Sequence, residues 1–366
     1  LPPLGIMSMD EDAFFQTSII NIKNKNLMIY TDGVTEGYLE DGSELENLPD
    51  IFKKDKEIVL AAVENNDLSL EFADINLLKD KKFILEAIQN GANYQYVDDS
   101  LKGDKEVFLE AVKNDNAHAL DYADDSLKKD REAVLASVNE SGSSLEYADD
   151  SFKKDREVVL AAVSSFGGSL GYADESLRDD RKFILEAVKA NGAAIDILDD
   201  SFKKDKEFVT ESVKSVGYSL QFVDKSFKKD KKIVLIAVTQ DGNSLEYADN
   251  TLKKNKEIVL EAVKNNGNAI EFADKTLKKN KEIALIAVKQ NGYNLNYADN
   301  SLKKDKEIVS EAVKNDGSAL EYADKSLKKD KEIVLLAVTQ DSYSIEYADK
   351  SLKKDPDILK ILESSE

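Results

Sequence analysis

The sequence of 366 residues contains no cysteine, which excludes disulfide bonds, thiol catalysis and cysteine-ligated metal sites. Histidine occurs once, at His118, so a histidine metal cage is excluded and any histidine-dependent triad would need that residue. No apolar run approaches the roughly 20 residues that a membrane-spanning helix requires. We therefore expect no membrane partner.

Basic residues are in the minority, with 51 Lys and Arg against 72 Asp and Glu, and the net charge is -21. This balance disfavours nucleic acid as a partner, because phosphate binding needs a basic surface. Residues 51–225 carry a net charge of about -13, whereas residues 226–350 carry about +1. The acidic part would attract a basic partner surface, or it would only keep a long surface soluble. Arginine is scarce beside lysine, which suggests an AT-rich bacterial genome. We expect a cytoplasmic protein.

Proline is also scarce, and the stretch between Pro49 and Pro356 contains none, which suits uninterrupted helices. This stretch is an internal repeat. Segments such as YADDSLKKD recur twelve times from residue 72 onward, spaced by 24, then 26, then 25 residues nine times. Twelve units therefore fill residues 55–354, and a repeat of this length indicates stacked supersecondary units.

One unit, from Asp155 to Asp179, shows how the repeat folds. Asp155 precedes an apolar stripe and predicts the start of a helix of ten to twelve residues, which Gly167 would end in a left-handed conformation. A shorter helix of six to nine residues follows around Leu170, and Asp174 is expected to cap a further turn.

Neither predicted helix can bury its apolar stripe alone, so successive units must stack into one continuous core. We therefore predict a mainly α protein, an α-solenoid of about twelve two-helix repeats of 25 residues each, over residues 51–366. Asp355 and Pro356 predict the start of a C-terminal capping helix. Residues 1–50 form a separate β-containing segment, with strands predicted at 14–22 and 27–30.

The repeat pattern D-x-E-(I/V)-V-L-x-A-V-x-x-x-G-x-x-L-x-(Y/F)-A-D-x-S-L-K-K resembles the family called domain of unknown function 4116, over about residues 55–363. The resemblance implies a helical interaction module and no catalytic residue.

The first segment resembles the C-terminal part of a sporulation-stage-II-E-type (RsbU-like) metal-dependent serine/threonine phosphatase, over about residues 1–46. The motifs are LPPLGI at 1–6, YTDGVTE at 30–36 and DG at 41–42. The resemblance makes Asp32 a ligand of a Mg or Mn ion that activates water for attack on a phosphate ester. The upstream Gly-Asp motif and the downstream Asp-Asp strand of that family are missing. The upstream motif would precede Leu1, so we expect residues 1–50 to be a phosphatase-like remnant, either the tail of a larger phosphatase–repeat polypeptide or a decayed fusion.

Other candidate residues have simpler interpretations. His118 lies in the irregular unit of 26 residues without a second histidine to assist it. An aromatic row from Phe72 to Tyr347 is expected to pack between units rather than to form a stacking surface. Lysine pairs such as Lys203 and Lys204 precede acids and predict a solvated, salt-bridged ridge rather than a polyanion site.

The sequence thus favours a non-enzymatic scaffold that binds another, unidentified protein, with no catalytic residue and no cofactor in this chain. The alternative is the regulatory C-terminal part of a Mg- or Mn-dependent serine/threonine phosphatase whose catalytic half lies outside this chain. A third possibility is a purely structural spacer, which would be disfavoured if the differences between units lay on one face.

Overall fold

The computed structural model describes residues 16–22, 25–31, 50–114 and 116–363. Strands β1 (Gln16–Ile22) and β2 (Lys25–Thr31) form an antiparallel hairpin in which Gln16 pairs with Thr31 and Ile22 pairs with Lys25. The β-branched and apolar residues of this segment account for the two strands. The two strands agree with the strands predicted from the sequence at 14–22 and 27–30.

The described part of the repeat region contains thirteen long α-helices, each of eight to ten residues. The first twelve begin one repeat each, and the thirteenth follows the last repeat. They are α1 (Lys56–Asn65), α2 (Lys81–Gln89), α3 (Lys105–Lys113), α4 (Arg131–Glu140), α5 (Arg156–Ser165), α6 (Arg181–Ala190), α7 (Lys206–Ser215), α8 (Lys231–Gln240), α9 (Lys256–Asn265), α10 (Lys281–Gln290), α11 (Lys306–Asn315), α12 (Lys331–Gln340) and α13 (Pro356–Glu363).

A short 3₁₀ helix follows the long helix in almost every repeat, and it corresponds to the predicted second helix. The third repeat has a single α-helical turn there instead, Ala119–Tyr122. The 3₁₀ helices are Asp67–Phe72, Tyr94–Tyr96, Gly142–Tyr147, Gly167–Tyr172, Gly192–Ile197, Gly217–Gln221, Gly242–Tyr247, Gly267–Phe272, Gly292–Tyr297, Gly317–Tyr322 and Ser342–Tyr347.

A last turn links each 3₁₀ helix to the next repeat. In the first half it is mostly one α-helical turn, and later it is mostly one 3₁₀ turn. The α-helical turns are Asp50–Lys53, Ile75–Leu78, Asp125–Lys128, Asp150–Lys153, Glu175–Arg178 and Asp200–Lys203; the 3₁₀ turns are Phe227–Lys229, Leu252–Lys254, Leu302–Lys304 and Leu327–Lys329.

The core includes four positions of each long helix, which form two pairs of consecutive residues. In α9 these are Ile258, Val259, Ala262 and Val263, all fully buried, and Ile270 of the following 3₁₀ helix joins them. Burying one such large side chain contributes about 1.5–3 kcal/mol, but only when a neighbouring repeat covers it. Helices of successive repeats pack on one another, and so do successive 3₁₀ helices. The mainly α solenoid is thus confirmed.

The chain divides into two compact bodies, Leu1–Ala162 and Val163–Glu366, with the boundary inside α5. Stacked repeats build each body. The boundary predicted near residue 50 adjoins residues outside the described part, so it stays a prediction. At the other end, Asp355 Oδ1 accepts a hydrogen bond from the Asp357 amide, Ile358 is buried, and α13 packs on α12, as expected of the predicted final helix.

Candidate interaction surface

An aspartate or asparagine precedes each long helix and caps it, as the sequence predicts. Asp305 Oδ1 accepts hydrogen bonds from the backbone amides of Glu307 (3.0 Å) and Ile308 (3.4 Å). These are two of the amides at a helix start that have no partner within the helix. Asp205 caps α7 in the same way through the amide of Glu207 (2.9 Å).

The second oxygen of the cap binds a basic residue of the preceding repeat. Lys281 Nζ donates to Asp305 Oδ2 at 2.7 Å and lies 2.8 Å from Glu307 Oε2. The Lys281 ammonium, with the helix amides, lowers the pKa of Asp305 against the opposing effect of burial. The same bridge joins Lys306 to Asp330 at 2.8 Å. Each cap therefore fixes a helix start and the contact between two repeats.

Two caps are asparagine, Asn255 and Asn280, and there the basic residue pairs with the next glutamate. Asn255 Oδ1 accepts from the amides of its own helix like an aspartate. Lys256 lies 2.8 Å from Glu282 Oε2, in the helix that Asn280 caps. The capping role thus persists without the second carboxylate oxygen.

The aspartate near the end of the repeat caps the last turn in most repeats, although Asp199 makes no such side-chain bond. Asp299 Oδ1 accepts from the amide of Ser301 (3.0 Å) and from its hydroxyl (2.7 Å). The backbone amide of Asp299 donates to the carbonyl of Lys278 in the preceding repeat at 3.1 Å. The predicted cap, stated for Asp174, is confirmed by the bond from the Ser176 amide.

The recurring glycine does not end a helix in a left-handed conformation, so that prediction for Gly167 is wrong. Among the described glycines only Gly91 has a positive φ, at +95°. A Cβ on Gly167 would lie 2.6 Å from the Ala194 nitrogen, and one on Gly192 would lie 2.1 Å from the Ser212 carbonyl oxygen. Glycine is required there because the backbone of the next repeat approaches too closely for a side chain.

An amide side chain at the end of the long helices has a role that was not predicted from the sequence. Gln290 Oε1 accepts from the Gly267 amide at 2.6 Å, and Gln290 Nε2 donates to the Lys264 carbonyl at 3.1 Å. One side chain thereby satisfies a helix-end carbonyl and the glycine of the preceding repeat. The signal was a run of amides at one position: Gln240, Asn265, Gln290, Asn315 and Gln340.

The lysine pairs divide into an inner and an outer residue. Lys203 Nζ donates to the Asp196 carbonyl at 2.6 Å, whereas the exposed Lys204 lies 3.5 Å from Asp200. At the equivalent inner position, burial lowers the pKa of Lys303. The predicted solvated ridge therefore consists of the outer lysine, while the inner lysine binds a backbone carbonyl in several repeats and a carboxylate in others, as Lys353 does with Glu346 at 2.9 Å.

Most residues of the aromatic row are half-buried, and Tyr322 of this row contacts a ring of the preceding repeat. The ring of Tyr293 meets Tyr322 of the next repeat edge-to-face, with centroids 5.2 Å apart. Lys278 Nζ lies 5.9 Å from the ring centroid of Tyr297. Burial, with the neighbouring Glu321, raises the pKa of Tyr322 to about 12. These contacts agree with the predicted packing role.

His118 is exposed beside a cavity of about 350 Å³ in the N-terminal body, where the two irregular repeats meet. Asp67, Asn93, Asn116 and Tyr122 are among its other lining residues. Asn93 Nδ2 donates to Asp67 Oδ2 at 3.2 Å, so two of these polar groups bind each other.

Asp32, the predicted metal ligand, lies outside the described residues, directly after β2. Within the described residues, no group of three or more Asp, Glu, His or Cys side chains is placed to hold a metal ion. None of the described helices is long and apolar enough to cross a membrane.

Several of the differences between repeats occur at exposed positions. One of these positions directly follows the aspartate that caps the last turn, and we call it the edge row. Its twelve residues are all exposed: Ile75, Asp99, Asp125, Asp150, Glu175, Asp200, Lys225, Asn250, Lys275, Asn300, Lys325 and Lys350. The edge row is the part of the surface where a partner could distinguish one repeat from another.

Comparison with known proteins identifies the repeat. The model described as "Domain of unknown function (DUF4116)" matches twelve overlapping segments that together cover residues 36–362. No curated protein and no solved structure matches the chain. The phosphatase-type resemblance of about residues 1–46 stays a prediction. Since the matched repeats cover most of the sequence, the chain belongs to the family of the domain of unknown function DUF4116.

Proposed function

We propose that the chain is a non-enzymatic repeat scaffold that binds another protein along its exposed surface. One observation carries this proposal. The polar residues shared by the repeats cap helices and join neighbours, whereas the edge row differs between repeats and is exposed throughout. The edge row changes in order, from acids in five consecutive repeats to lysine or asparagine in the next six. A spacer would need only a soluble surface, so this order favours binding.

The scaffold proposal is tested by photo-crosslinking from exposed positions. A photoreactive amino acid is placed at Asn250 or at Asn300, both exposed on the edge row, and the chain is irradiated in its source cells. The proposal requires a discrete adduct whose protein, once purified, binds the purified chain with a saturable isotherm. The absence of any protein that binds saturably in purified form would contradict it.

A second candidate is the regulatory C-terminal part of a Mg- or Mn-dependent serine/threonine phosphatase. Its support is the Thr-Asp-Gly sequence at the end of β2, together with the first 35 residues lying outside the family matches. A strand end is a suitable place for a carboxylate that binds a hard cation.

We predict that this chain alone hydrolyses no p-nitrophenyl phosphate in the presence of Mn²⁺, because a single carboxylate does not build a catalytic metal site. The Asp32→Ala variant should give the same background rate. Turnover that requires Mn²⁺ and disappears in Asp32→Ala would contradict a non-enzymatic chain and favour the phosphatase.

A further inference from the structure

Residues 225–354 of the C-terminal body present a row of exposed lysines. They come from the edge row and from the outer residue of each lysine pair within that range, and together we call them the lysine edge. Its ten members are Lys225, Lys229, Lys254, Lys275, Lys279, Lys304, Lys325, Lys329, Lys350 and Lys354, and all are exposed.

The acidic groups along this edge do not neutralise it. Six aspartates share the edge with the ten lysines. Asp274 is typical, since its Oδ1 accepts from the Thr276 amide (2.9 Å) and hydroxyl (2.7 Å). The distance between such an aspartate and an outer lysine is long, as between Asp299 Oδ2 and Lys279 Nζ at 4.0 Å. Exposed pairs of this kind contribute little.

The cap aspartates that follow each lysine pair are also occupied. Asp305 binds Lys281 and the amides of its own helix. Two inner lysines add positive charge beneath the edge, because the hydrogen bonds of Lys303 and Lys328 in the described part of the chain go to backbone carbonyls, whereas Lys353 pairs with Glu346 at 2.9 Å. The lysine edge is therefore a strip of excess positive charge on a chain whose net charge is -21.

We infer that the lysine edge binds an extended acidic segment of a partner protein, with a carboxylate at about every third residue. Packed helices lie about 8–10 Å apart, and an extended chain advances about 3.3 Å per residue, so three residues span one repeat. The inference rests on the proposed scaffold function and names the chemistry of its partner.

The composition of the edge favours carboxylates over a nucleic acid. All four arginines of the chain precede residue 182, so the edge contains none of the side chains best suited to paired phosphate contacts. Exposed glutamates on the neighbouring 3₁₀ helices, such as Glu271 and Glu321, would also repel a wide polyanion. A second copy of the chain is disfavoured because both copies would carry the same large negative charge.

The test uses the full chain and a fluorescent peptide of about eighteen residues with Glu at every third position, six repeats at three residues each. Binding is followed by fluorescence anisotropy at low and moderate salt. The edge variant replaces Lys225, Lys275, Lys325 and Lys350 with Asn, the residue that two repeats already have in that row. The matched control replaces four exposed lysines of the long helices with Asn: Lys214, Lys264, Lys289 and Lys314.

The edge variant should bind the peptide about tenfold more weakly, and the control should stay within about twofold of the original. A peptide of equal composition with its glutamates in one block should bind more weakly than the spaced peptide. Equal loss in both variants, or equal affinity for both peptides, would overturn the inference. So would tighter binding of a single-stranded oligonucleotide of equal charge, or salt-sensitive self-association that only the edge variant abolishes.

Failure of this inference differs from failure of the scaffold proposal. If both peptides fail to bind while a partner identified by photo-crosslinking binds both lysine variants equally, the lysine edge is not the docking surface and the scaffold stands. If no purified partner binds and neither peptide binds, both proposals fall.

Discussion

At the scale of single residues, the shared polar positions each satisfy two requirements. The cap aspartate binds helix amides through one oxygen and a basic residue of the preceding repeat through the other. The helix-end amide likewise accepts from one backbone group and donates to another. Lysine and aspartate pairs could have indicated a binding or catalytic site. Their contacts within and between repeats explain them instead.

Replacing Asp205 with Ala should lower the free energy of unfolding by about 0.5–2 kcal/mol, because the amides at the start of α7 lose their acceptor. The same change at the exposed Lys204 should alter it by less than about 0.5 kcal/mol. Urea denaturation of the two variants compares them. Equal effects would show that Asp205 is not an energetically significant cap.

The cap aspartates should make stability depend on pH. Lys281 and Lys306 lower the pKa of Asp305 and Asp330 in the folded protein. A lowered folded-state pKa contributes stability that is present above the unfolded value of about 3.9 and is lost as pH falls through the folded value. The free energy of unfolding should therefore fall as the pH drops below about 4.

The double variant Asp305→Asn, Asp330→Asn is the matched test, because Asn255 and Asn280 already act as caps in this chain. It should be less stable than the original chain at pH 7, by up to about 1 kcal/mol per ion pair, and nearly equal to it at pH 2–3. A difference that stays constant from pH 7 to pH 2 would contradict the contribution of these ion pairs.

The sequence predicted the caps because a cap and its amides are neighbours in the chain. It could not predict the partner of the second oxygen, since Lys281 and Asp305 are 24 residues apart and meet only when repeats stack. The same reason explains why the amide at Gln290 was missed. The role of Asp32 as a metal ligand stays a prediction, because this residue lies outside the described residues.

At the scale of elements, apolar periodicity and capping residues predicted the long helices correctly. The role of the recurring glycine was not predicted. The sequence pattern identified a break after each long helix, and a left-handed stop is a common way to make one. The structure instead places an extended residue before the glycine, as at Asn191 with φ -147°. The glycine begins the 3₁₀ helix, where the next repeat leaves no space for a Cβ.

Gly192→Ala should therefore lower the free energy of unfolding by at least about 2 kcal/mol, because the new Cβ would overlap the Ser212 carbonyl and force two repeats apart. Gly103→Ala is the matched control, since a Cβ there meets nothing closer than 3.6 Å. It should be neutral or stabilising by up to about 1 kcal/mol. Thermal denaturation should separate the two variants, and similar melting temperatures would contradict the close-approach account.

At the scale of the whole molecule, the recurring contacts between repeats join immediate neighbours in the chain. The ion pair of Lys281 with Asp305, the hydrogen bonds of Gln290 and the packing of successive helices each connect adjacent repeats, so stability should be nearly a sum of repeat and interface terms. The period of 25 residues made this architecture predictable from the sequence. The distribution of exposed charge along the edge could not be predicted, because the sequence does not show which residues share a surface.

The central claim is that repeats stabilise one another only as neighbours, and removal of α13 tests it most directly. Deleting residues 356–366 uncovers α12, which packs on α13 through the buried Ile358, and removes the ion pair of Lys331 with Asp357. Hydrogen exchange measured by mass spectrometry should rise strongly in α12 and α11 and stay unchanged in the repeats around residue 200. An equal rise in all repeats would show a single cooperative unit and contradict the account.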